Sequence, residues 1–200
     1  AGMAGRPRQE KRSHARSDVL NASVRLFSEH GYHGTSLRMI SESSGYSAPT
    51  IYHYFGNKED LLWDALRSTH LLILRYLRRR ALFSPSSVSA KRRIMSLYET
   101  LEEVHTESPA LIHMVFRLIY TAPPSVREKY AIYYAPNFIR LVETVVRQTH
   151  PQAPDDILHL FVQSWYALSI KLSAPEAVDA AALDWRQTVE LALKLLAGEK

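Results

Sequence analysis

Apolar residues recur along most of the chain at the three- and four-residue spacing of amphipathic α-helices. Val19, Leu20, Leu26 and Phe27 mark the apolar face of a first helix over residues 17–30. The same spacing predicts further helices over 36–44, 57 to about 82, 90–106, 109–121, 125–149, 154–172 and 183–197. Pro136 predicts a kink in the helix over 125–149, because its ring removes one hydrogen bond. We find no alternating strand pattern and no internal repeat, so the sequence predicts an all-α protein.

Start and stop residues divide the segment 35–62 into three helices. Thr35, Ser47 and Asn57 are residue types that cap helix N-termini. Gly45 and Gly56 can adopt positive φ and end a helix. The segment is therefore predicted to form a helix, a tight turn, a short helix over 50–55, a second turn and a long helix. We expect the first three helices of the chain to form a small bundle around Leu20, Phe27, Ile40 and Phe55.

The short helix over 50–55 is too polar to form a core. Thr50, Tyr52, His53 and Tyr54 give it several groups that can reach outward. A helix–turn–helix places its second helix in the major groove, where hydroxyl and imidazole groups contact bases or phosphates. An ordinary helical hairpin, in which these aromatic residues only pack, fits the same pattern, and spacing alone leaves both alternatives open.

The segment resembles the DNA-binding signature of the tetracycline-repressor (TetR) family. The matching positions are Phe27, Gly31, Tyr32, Thr35, Ile40, Gly45, Ser47, Thr50, Tyr52, Tyr54, Phe55, Lys58, Glu59 and Leu61. Tyr46 departs from the pattern, since the family has a small aliphatic residue there. Ser41 and Ser44 replace common alanines, and Ala48-Pro49 replaces a common Lys-Gly pair. The resemblance covers about the first third of the chain, and these departures prevent any transfer of an operator sequence.

The resemblance implies a three-helix DNA-binding domain over 17–62, joined by a long helix to a helical domain for ligand binding and dimerisation over 63–200. It also implies a homodimer through the last two helices, with Leu193 on the shared face, and a palindromic DNA operator as partner. The residues expected to contact DNA are Arg6, Arg8, Thr35, Ser47, Ala48, Pro49, Thr50, Tyr52, His53, Tyr54 and Lys58.

Positive charge is concentrated at the start of the chain. The net charge is +5, and residues 1–17 hold five Lys and Arg residues against Glu10 alone. We expect residues 1–16 to be a disordered basic arm, which suits a polyanion such as DNA. Gly5-Arg6-Pro7-Arg8 resembles the core of an AT-hook, which lays arginines in a narrow minor groove. A solvated tail without a partner fits the same composition.

The second half of the chain is rich in tyrosine and other aromatic residues on predicted helices. Core packing accounts for most of them, yet buried tyrosine hydroxyls need hydrogen-bond partners, and a cavity between helices supplies these. We therefore expect a pocket for a largely apolar small-molecule effector, as the resemblance also implies. Its expected wall residues are His113, Phe116, Tyr120, Tyr134 and Trp165, and Arg117 is a candidate partner for an acidic ligand group.

The chain lacks the motifs of common enzymes and metal sites. It has no Cys, no HExxH or GxSxG pattern and no phosphate-binding glycine loop, and a glycine turn separates His30 from His33. No apolar run approaches 18 residues. We expect a cytoplasmic regulator that is not an enzyme and needs no cofactor or metal, most simply a ligand-responsive repressor. The alternatives are an all-α carrier or enzyme with an incidental helix–turn–helix, or a nonspecific nucleoid-type binder.

Overall fold

The computed structural model describes residues 6–82, 88–173 and 184–198. Within these ranges the chain is helical without β-strands, which confirms the predicted all-α class. The helices are α1 Arg6–Gly34, α2 Leu37–Ser44, α3 Ala48–Phe55, α4 Lys58–Leu82, α5 Ala90–Glu107, α6 Pro109–Ile112, α7 Leu118–Thr121, α8 Pro124–Tyr133, α9 Ala135–Thr149, α10 Asp155–Ser173 and α11 Trp185–Leu196. The predicted loop at 83–87 and the Pro/Ala-rich connector at 174–183 lie outside the described residues.

We call α1–α3 and the first turns of α4 the head, and the remaining helices the body. Leu20, Phe27, Ile40, Ile51 and Phe55 are all buried in one apolar cluster that holds the head together. Four of these five were expected as the head core from their helical spacing, and the cluster confirms that expectation. The polar faces of the same helices are left on the surface.

α1 begins earlier than the sequence indicated. It starts at Arg6, so residues 6–16 are helical where a disordered arm was expected. Most of these residues are Arg, Lys, Gln, Glu or Ala, which lose little side-chain freedom in a helix. The last of them also have tertiary contacts, since Ala15 is buried and the Arg16 guanidinium lies over the Phe55 ring at 5.1 Å.

The turns that separate α2, α3 and α4 follow the predicted stops. Gly45 has φ of 76° and Gly56 has φ of 77°, a backbone region that L residues with a Cβ disfavour. The N-cap of α2, however, is Ser36 and not Thr35. The Ser36 hydroxyl accepts a hydrogen bond from the Met39 N–H at 3.2 Å.

α4 connects the two cores of the molecule. Leu61 and Leu66 near its start belong to the head cluster, whereas Ile73 and Leu77 further along belong to the body cluster. Its 25 residues span about 37 Å at 1.5 Å per residue. A change in how the body packs on α4 therefore reaches the head through one continuous element.

Residues 109–121 do not form the single helix that was predicted. A π-helical turn, His113–Arg117, lies between α6 and α7. Its i→i+5 hydrogen bonding shifts every following side chain around the helix axis. As a result Met114 joins the head cluster while Val115 and Phe116 join the body cluster.

The expected kink in residues 125–149 is a full break between α8 and α9. Tyr134 has φ of −123° and ψ of −41°, and its N–H bonds to the Tyr130 carbonyl at 2.9 Å. Pro136 then lies in the first turn of α9, where its missing N–H costs no hydrogen bond. The break thus comes two residues before the proline.

α10 and α11 pack against each other and close the body. The Trp185 ring of α11 stacks on Tyr98 at 4.9 Å, and its Nε1 donates to Glu102 Oε1 at 2.9 Å. Leu193, expected on the shared face of a dimer, is partly buried against the body core. Leu191 and Leu195 are the exposed leucines of α11. None of the helices in the described ranges is long and apolar enough to span a membrane.

Candidate nucleic-acid interface and ligand cavity

α3 has one buried side and one polar, accessible side. Ile51 and Phe55 anchor it in the head core, with exposed fractions of 1% and 5%. On the other side Tyr52 is 52% exposed, and Pro49 and His53 are also exposed. Three of the residues predicted to contact DNA on this helix therefore stand at the surface, apart from the residues that hold the helix in place.

The start of α3 carries a pair of hydroxyl groups. Ser47 has the extended backbone of an N-cap, but its side chain makes no capping hydrogen bond. Ser47 Oγ instead lies 2.9 Å from Thr50 Oγ1, and Ala48 and Thr50 are half-buried beside it. This pair places two groups that can donate or accept at the end of α3 that follows the turn.

Thr35 was predicted to contact DNA, and the structure contradicts that assignment. Its side chain is 1% exposed, and Oγ1 lies 3.0 Å from the Leu26 carbonyl and 2.8 Å from the Gly31 carbonyl. The hydroxyl satisfies carbonyls at the end of α1, where the helical geometry is interrupted at Gly31. The neighbouring Ser36 is exposed and takes the capping role.

Tyr54 and Lys58 lie at the edge of the α3 surface and are both half-buried. The Tyr54 ring packs edge-on against His53 at 5.3 Å. Lys58 Nζ lies 4.2 Å from the centre of the Tyr32 ring, and burial lowers the pKa of this ammonium group from its ordinary value. The lysine is thus held in a defined position at the start of α4.

Two hydrogen bonds brace the turn between α2 and α3, and the sequence did not indicate either. The Tyr46 hydroxyl donates to Asp18 Oδ2 of α1 at 3.1 Å. Ser41 Oγ donates to the Tyr46 carbonyl at 2.6 Å. Ser41 and Tyr46 are both departures from the TetR pattern, so the departures themselves were the available signal.

Arg6 and Arg8, the expected minor-groove arginines, lie in the first turn of α1. Their side chains are outside the described part of the structure. Further along the same helix, Arg16 forms an ion pair with Asp64 of α4. Arg25 also bridges helices, since its Nη2 donates to Ser43 Oγ of α2 at 2.6 Å. The end of the basic segment is therefore joined to the head through described contacts.

An apolar cavity of about 320 Å³ lies in the body between the π-helical turn, α8, α9 and α10. Its lining residues are Val115, Phe116, Arg127, Tyr130, Ala131, Ala135, Phe138, Trp165 and Tyr166. Two of the five predicted wall residues, Phe116 and Trp165, line it. The Phe138 ring links them, with centroids 5.6 Å from Phe116 and 5.9 Å from Trp165.

The other three predicted wall residues are not part of this lining. His113 lines a separate cavity of about 360 Å³ between head and body, together with His30, Tyr32 and His33. The assignment of His113 assumed an uninterrupted α-helix, and the π-helical turn removes that assumption. Tyr120 lies on α7, but its side chain is outside the described residues, as is that of Arg117.

Tyr134 faces α4 and not the cavity. Its ring lies edge-on to Trp63 at 5.3 Å and to His70 at 5.2 Å. The break between α8 and α9 at this residue gives it a backbone orientation that a continuous helix would not have. The sequence signal for a break, Pro136, was present but predicted only a kink.

His70 is a buried residue that the sequence analysis did not single out. It is fully buried on α4, and its Nδ1 forms a 2.9 Å hydrogen bond with the hydroxyl of Tyr130, which lines the apolar cavity. Burial lowers the pKa of His70 from 6.5 to about 4, so the ring is neutral at pH 7. The cavity wall is thus hydrogen-bonded directly to the helix that carries the head.

Exposed apolar side chains lie on the outer side of α10 and α11. Tyr166 is 39% exposed, Leu191 is 55% exposed and Leu195 is 44% exposed. Large exposed apolar side chains are candidates for contact with another protein surface. In the described ranges no group of three or more His, Asp or Glu residues is arranged to hold a metal ion.

Residues 19–65 match the model of the family described as "Bacterial regulatory proteins, tetR family". Over 52 residues the chain is 40% identical to the HTH-type transcriptional repressor AcnR of Corynebacterium glutamicum, covering 26% of this chain and 28% of that protein. Over 118 residues it is 29% identical to the HTH-type transcriptional regulator BetI of Agrobacterium fabrum, covering 59% and 49%. The chain thus spans less than half the length of these relatives.

Solved structures extend the likeness to nearly the whole chain at the level of the fold. A bacterial regulatory protein in the TetR family from Rhodococcus RHA1 superposes with a TM-score of 0.67 at 20% identity, covering 91% of this chain and 96% of that one. The transcriptional regulator FadR of Bacillus subtilis, solved in complex with stearoyl-CoA, superposes with a TM-score of 0.69 at 15% identity, covering 88% and 96%. Head and body together therefore have the fold of these regulators.

Proposed function

We propose that this chain is a TetR-family regulator that binds a palindromic DNA operator as a homodimer and represses transcription until a small effector binds its body. The observation that carries the proposal is the polar, accessible face of α3, which is anchored from behind by Ile51 and Phe55. This face lies within residues 19–65, which match the family model. In a helix–turn–helix such a helix enters the major groove.

The side chains of α3 have two different roles in the proposed complex. Thr50 and His53 contact base edges. Phosphate and groove contacts come from Tyr52, Tyr54 and the backbone near Ser47, Ala48 and Pro49. Lys58, held over the Tyr32 ring, is directed to a phosphate at the edge of the groove. Arg6 and Arg8 approach the minor groove beside the operator from the start of α1.

A two-fold dimer supplies the second recognition helix. Exposed apolar side chains on these helices, Tyr166 of α10 and Leu191 and Leu195 of α11, support a contact between two copies through α10 and α11. In this arrangement the two α3 helices meet half-sites separated by about one helical turn of DNA, roughly 34 Å, or a multiple of it. A single head would make too few contacts for specific binding.

The apolar cavity is the proposed effector site. Its wall of aromatic and small residues, including Phe116 and Trp165, suits a largely apolar ligand, and its volume of about 320 Å³ lies within the usual range of roughly 300–1,000 Å³ for ligand pockets. FadR, which has a similar fold, was solved in complex with stearoyl-CoA, and this supports an acyl-containing ligand for the cavity. Tyr120 remains a predicted wall residue.

The proposed regulation is a shift between two populations. An effector that binds more tightly to the state with misaligned heads lowers DNA affinity, and DNA lowers effector affinity by the same factor. The hydrogen bond between Tyr130 in the cavity wall and His70 on α4 gives this coupling a direct physical contact. An effector that bound both states equally would not change DNA binding.

Selection of bound fragments from random DNA with the full chain tests the proposal. We expect a palindrome with half-sites at the spacing given above, bound with an affinity that falls steeply as salt rises. Salt-dependent binding without enrichment of a palindrome would indicate a nonspecific nucleoid-type protein. Absence of DNA binding at low salt would favour an all-α carrier or enzyme.

Sedimentation of a double variant tests the dimer separately. Leu191→Glu combined with Leu195→Glu places two charges in the proposed contact, so we expect monomers that are folded but bind the operator poorly. Leu72→Glu is the matched control, because Leu72 is also an exposed leucine, 43% accessible, but lies on α4. A wild-type chain that sediments as a monomer at micromolar concentration would contradict the homodimer.

A further inference from the structure

The lining of the apolar cavity contains one charged side chain. Arg127 lies at its edge on α8, and the rest of the lining consists of aromatic, aliphatic and alanine side chains. Among the described residues the guanidinium of Arg127 makes no hydrogen bond or ion pair. Other arginines of the body do, as Arg147 pairs with Asp155 at 2.8 Å and Arg186 pairs with Glu102 at 2.7 Å.

Inside the cavity, the main polar group of the wall already has a partner. The Tyr130 hydroxyl is hydrogen-bonded to Nδ1 of His70 at 2.9 Å and is buried. The Trp165 indole of the same lining differs, because its Nε1–H is buried without a hydrogen-bond partner among the described residues. The wall can thus satisfy one neutral acceptor at Trp165, whereas a charged group of the ligand finds its complement at Arg127.

We propose that the effector is an amphipathic carboxylate, with its apolar part between Phe116, Phe138 and Trp165 and its carboxylate on the Arg127 guanidinium. This inference rests on the proposed function, because it names the chemical class that the proposed effector site takes. Arginine forms two parallel hydrogen bonds with a carboxylate, which gives direction as well as charge complementarity. Arg127 is exposed, so the carboxylate is not fully stripped of water.

Lys129 provides a matched control on the same helix. It is exposed like Arg127 and lies two residues further along α8. Its Nζ lies 5.9 Å from the centre of the Trp63 ring, on the side of α8 that faces α4, and it does not line the cavity. Nonspecific attraction of anions to α8 would be weakened equally by removing either charge, whereas the proposed site depends on Arg127.

The experiment is a calorimetric titration of the full chain without DNA, using octanoate, octan-1-ol and octylamine. A second pair, 3-phenylpropanoate and 3-phenylpropan-1-ol, tests an aromatic apolar part. For at least one pair we expect the acid to bind about tenfold more tightly than the alcohol, which corresponds to about 1.4 kcal/mol. Octylamine should bind most weakly, because its ammonium group meets the guanidinium.

Variants then assign the preference to one residue. In Arg127→Gln we expect the affinity for the acid to fall to that for the alcohol, while the affinity for the alcohol stays unchanged. Arg127→Lys should keep part of the preference for the acid over the alcohol, and Lys129→Gln should keep all of it. An alcohol that binds as well as the acid in the wild type overturns the proposal. So does an Arg127→Gln variant that still prefers the acid, or the absence of saturable binding by both acids.

Repeating the titration with operator DNA separates this proposal from the proposed function. Loss of DNA binding on addition of the acid supports both. Tight acid binding that leaves DNA binding unchanged would refute the regulatory role of the cavity and retain the carboxylate site. Regulation by some other molecule, with no acid preference in any of the titrations above, would refute the carboxylate site alone.

Discussion

The recognition helix α3 and the wall of the apolar cavity are built in opposite ways. On α3, Ile51 and Phe55 hold the helix while other, exposed side chains are left to bind a partner. In the cavity, Trp165 and Phe138 belong to the body core and also form the wall. In the head, different residues therefore serve folding and the proposed DNA contacts, whereas in the body the same side chains serve both the core and the proposed effector site.

Trp165→Ala gives the largest expected effect. The Trp165 side chain is 1% exposed and packs against Tyr98 and Phe138, so its removal should lower the free energy of unfolding by about 3–5 kcal/mol. Tyr52→Ala on α3 should leave stability within about 0.5 kcal/mol of wild type. Urea unfolding followed by circular dichroism measures both. Equal destabilisation by the two variants would break the contrast between head and body.

His70 should make the stability of the body depend on pH. Its pKa is about 4 in the folded protein and 6.5 in the unfolded chain. Between pH 6.5 and pH 4 the unfolded chain therefore binds a proton at this histidine that the folded protein does not. Stability is therefore complete above pH 6.5 and falls as the pH drops towards 4, by about 3 kcal/mol in total. Thermal unfolding at a series of pH values measures this loss.

The matched variant is His70→Gln, which does not titrate but keeps an amide that can bond the Tyr130 hydroxyl. We expect its stability to change less than that of the wild type between pH 6.5 and pH 4. Parallel pH profiles for the two proteins would show that His70 is not the titrating group. Operator binding at pH 7 should be similar in both, because the wild-type ring is neutral there.

Thr50→Ala and His53→Ala should change base preference without changing stability. Each removes one proposed base contact, so binding to the preferred base pair should weaken by roughly 1–3 kcal/mol relative to its alternatives. Thr144→Ala is the control, because this exposed threonine of α9 bonds only the Arg140 carbonyl of its own helix in the described contacts. Binding to operators with single base-pair changes measures the effect. Unchanged preferences in both variants would remove these residues from base recognition.

The head could be predicted in detail because its signals are local. Gly45 and Gly56 end helices through their own backbone freedom, and the core spacing of α1 and α2 is visible within a few turns. Thr35 and Ser36 show the limit of this reasoning. Both can cap a helix, and only the packing of Thr35 against the end of α1 decides between them.

The cavity could be predicted only in part because its geometry depends on irregular backbone. His113 and Phe116 share a face of an ideal α-helix, but the π-helical turn sends them to different cavities. Tyr130 and His70 are 60 residues apart, so nothing near either residue indicates their hydrogen bond. Aromatic composition indicated that a cavity exists, and tertiary packing decides which residues form it.

The smallest expected effect concerns the brace between Tyr46 and Asp18, which joins the turn before α3 to α1. Tyr46→Phe removes one accessible hydrogen bond and keeps the ring, so operator affinity should fall only slightly, roughly twofold, with base preference unchanged. Asp18→Asn tests the same contact from the other side. If the hydrogen bond positions α3, the double variant should bind the operator as weakly as either single variant and no more weakly. Fully additive losses in the four-protein cycle would mean that each residue acts on DNA binding independently, and the head would then owe the position of its recognition helix to the apolar core alone.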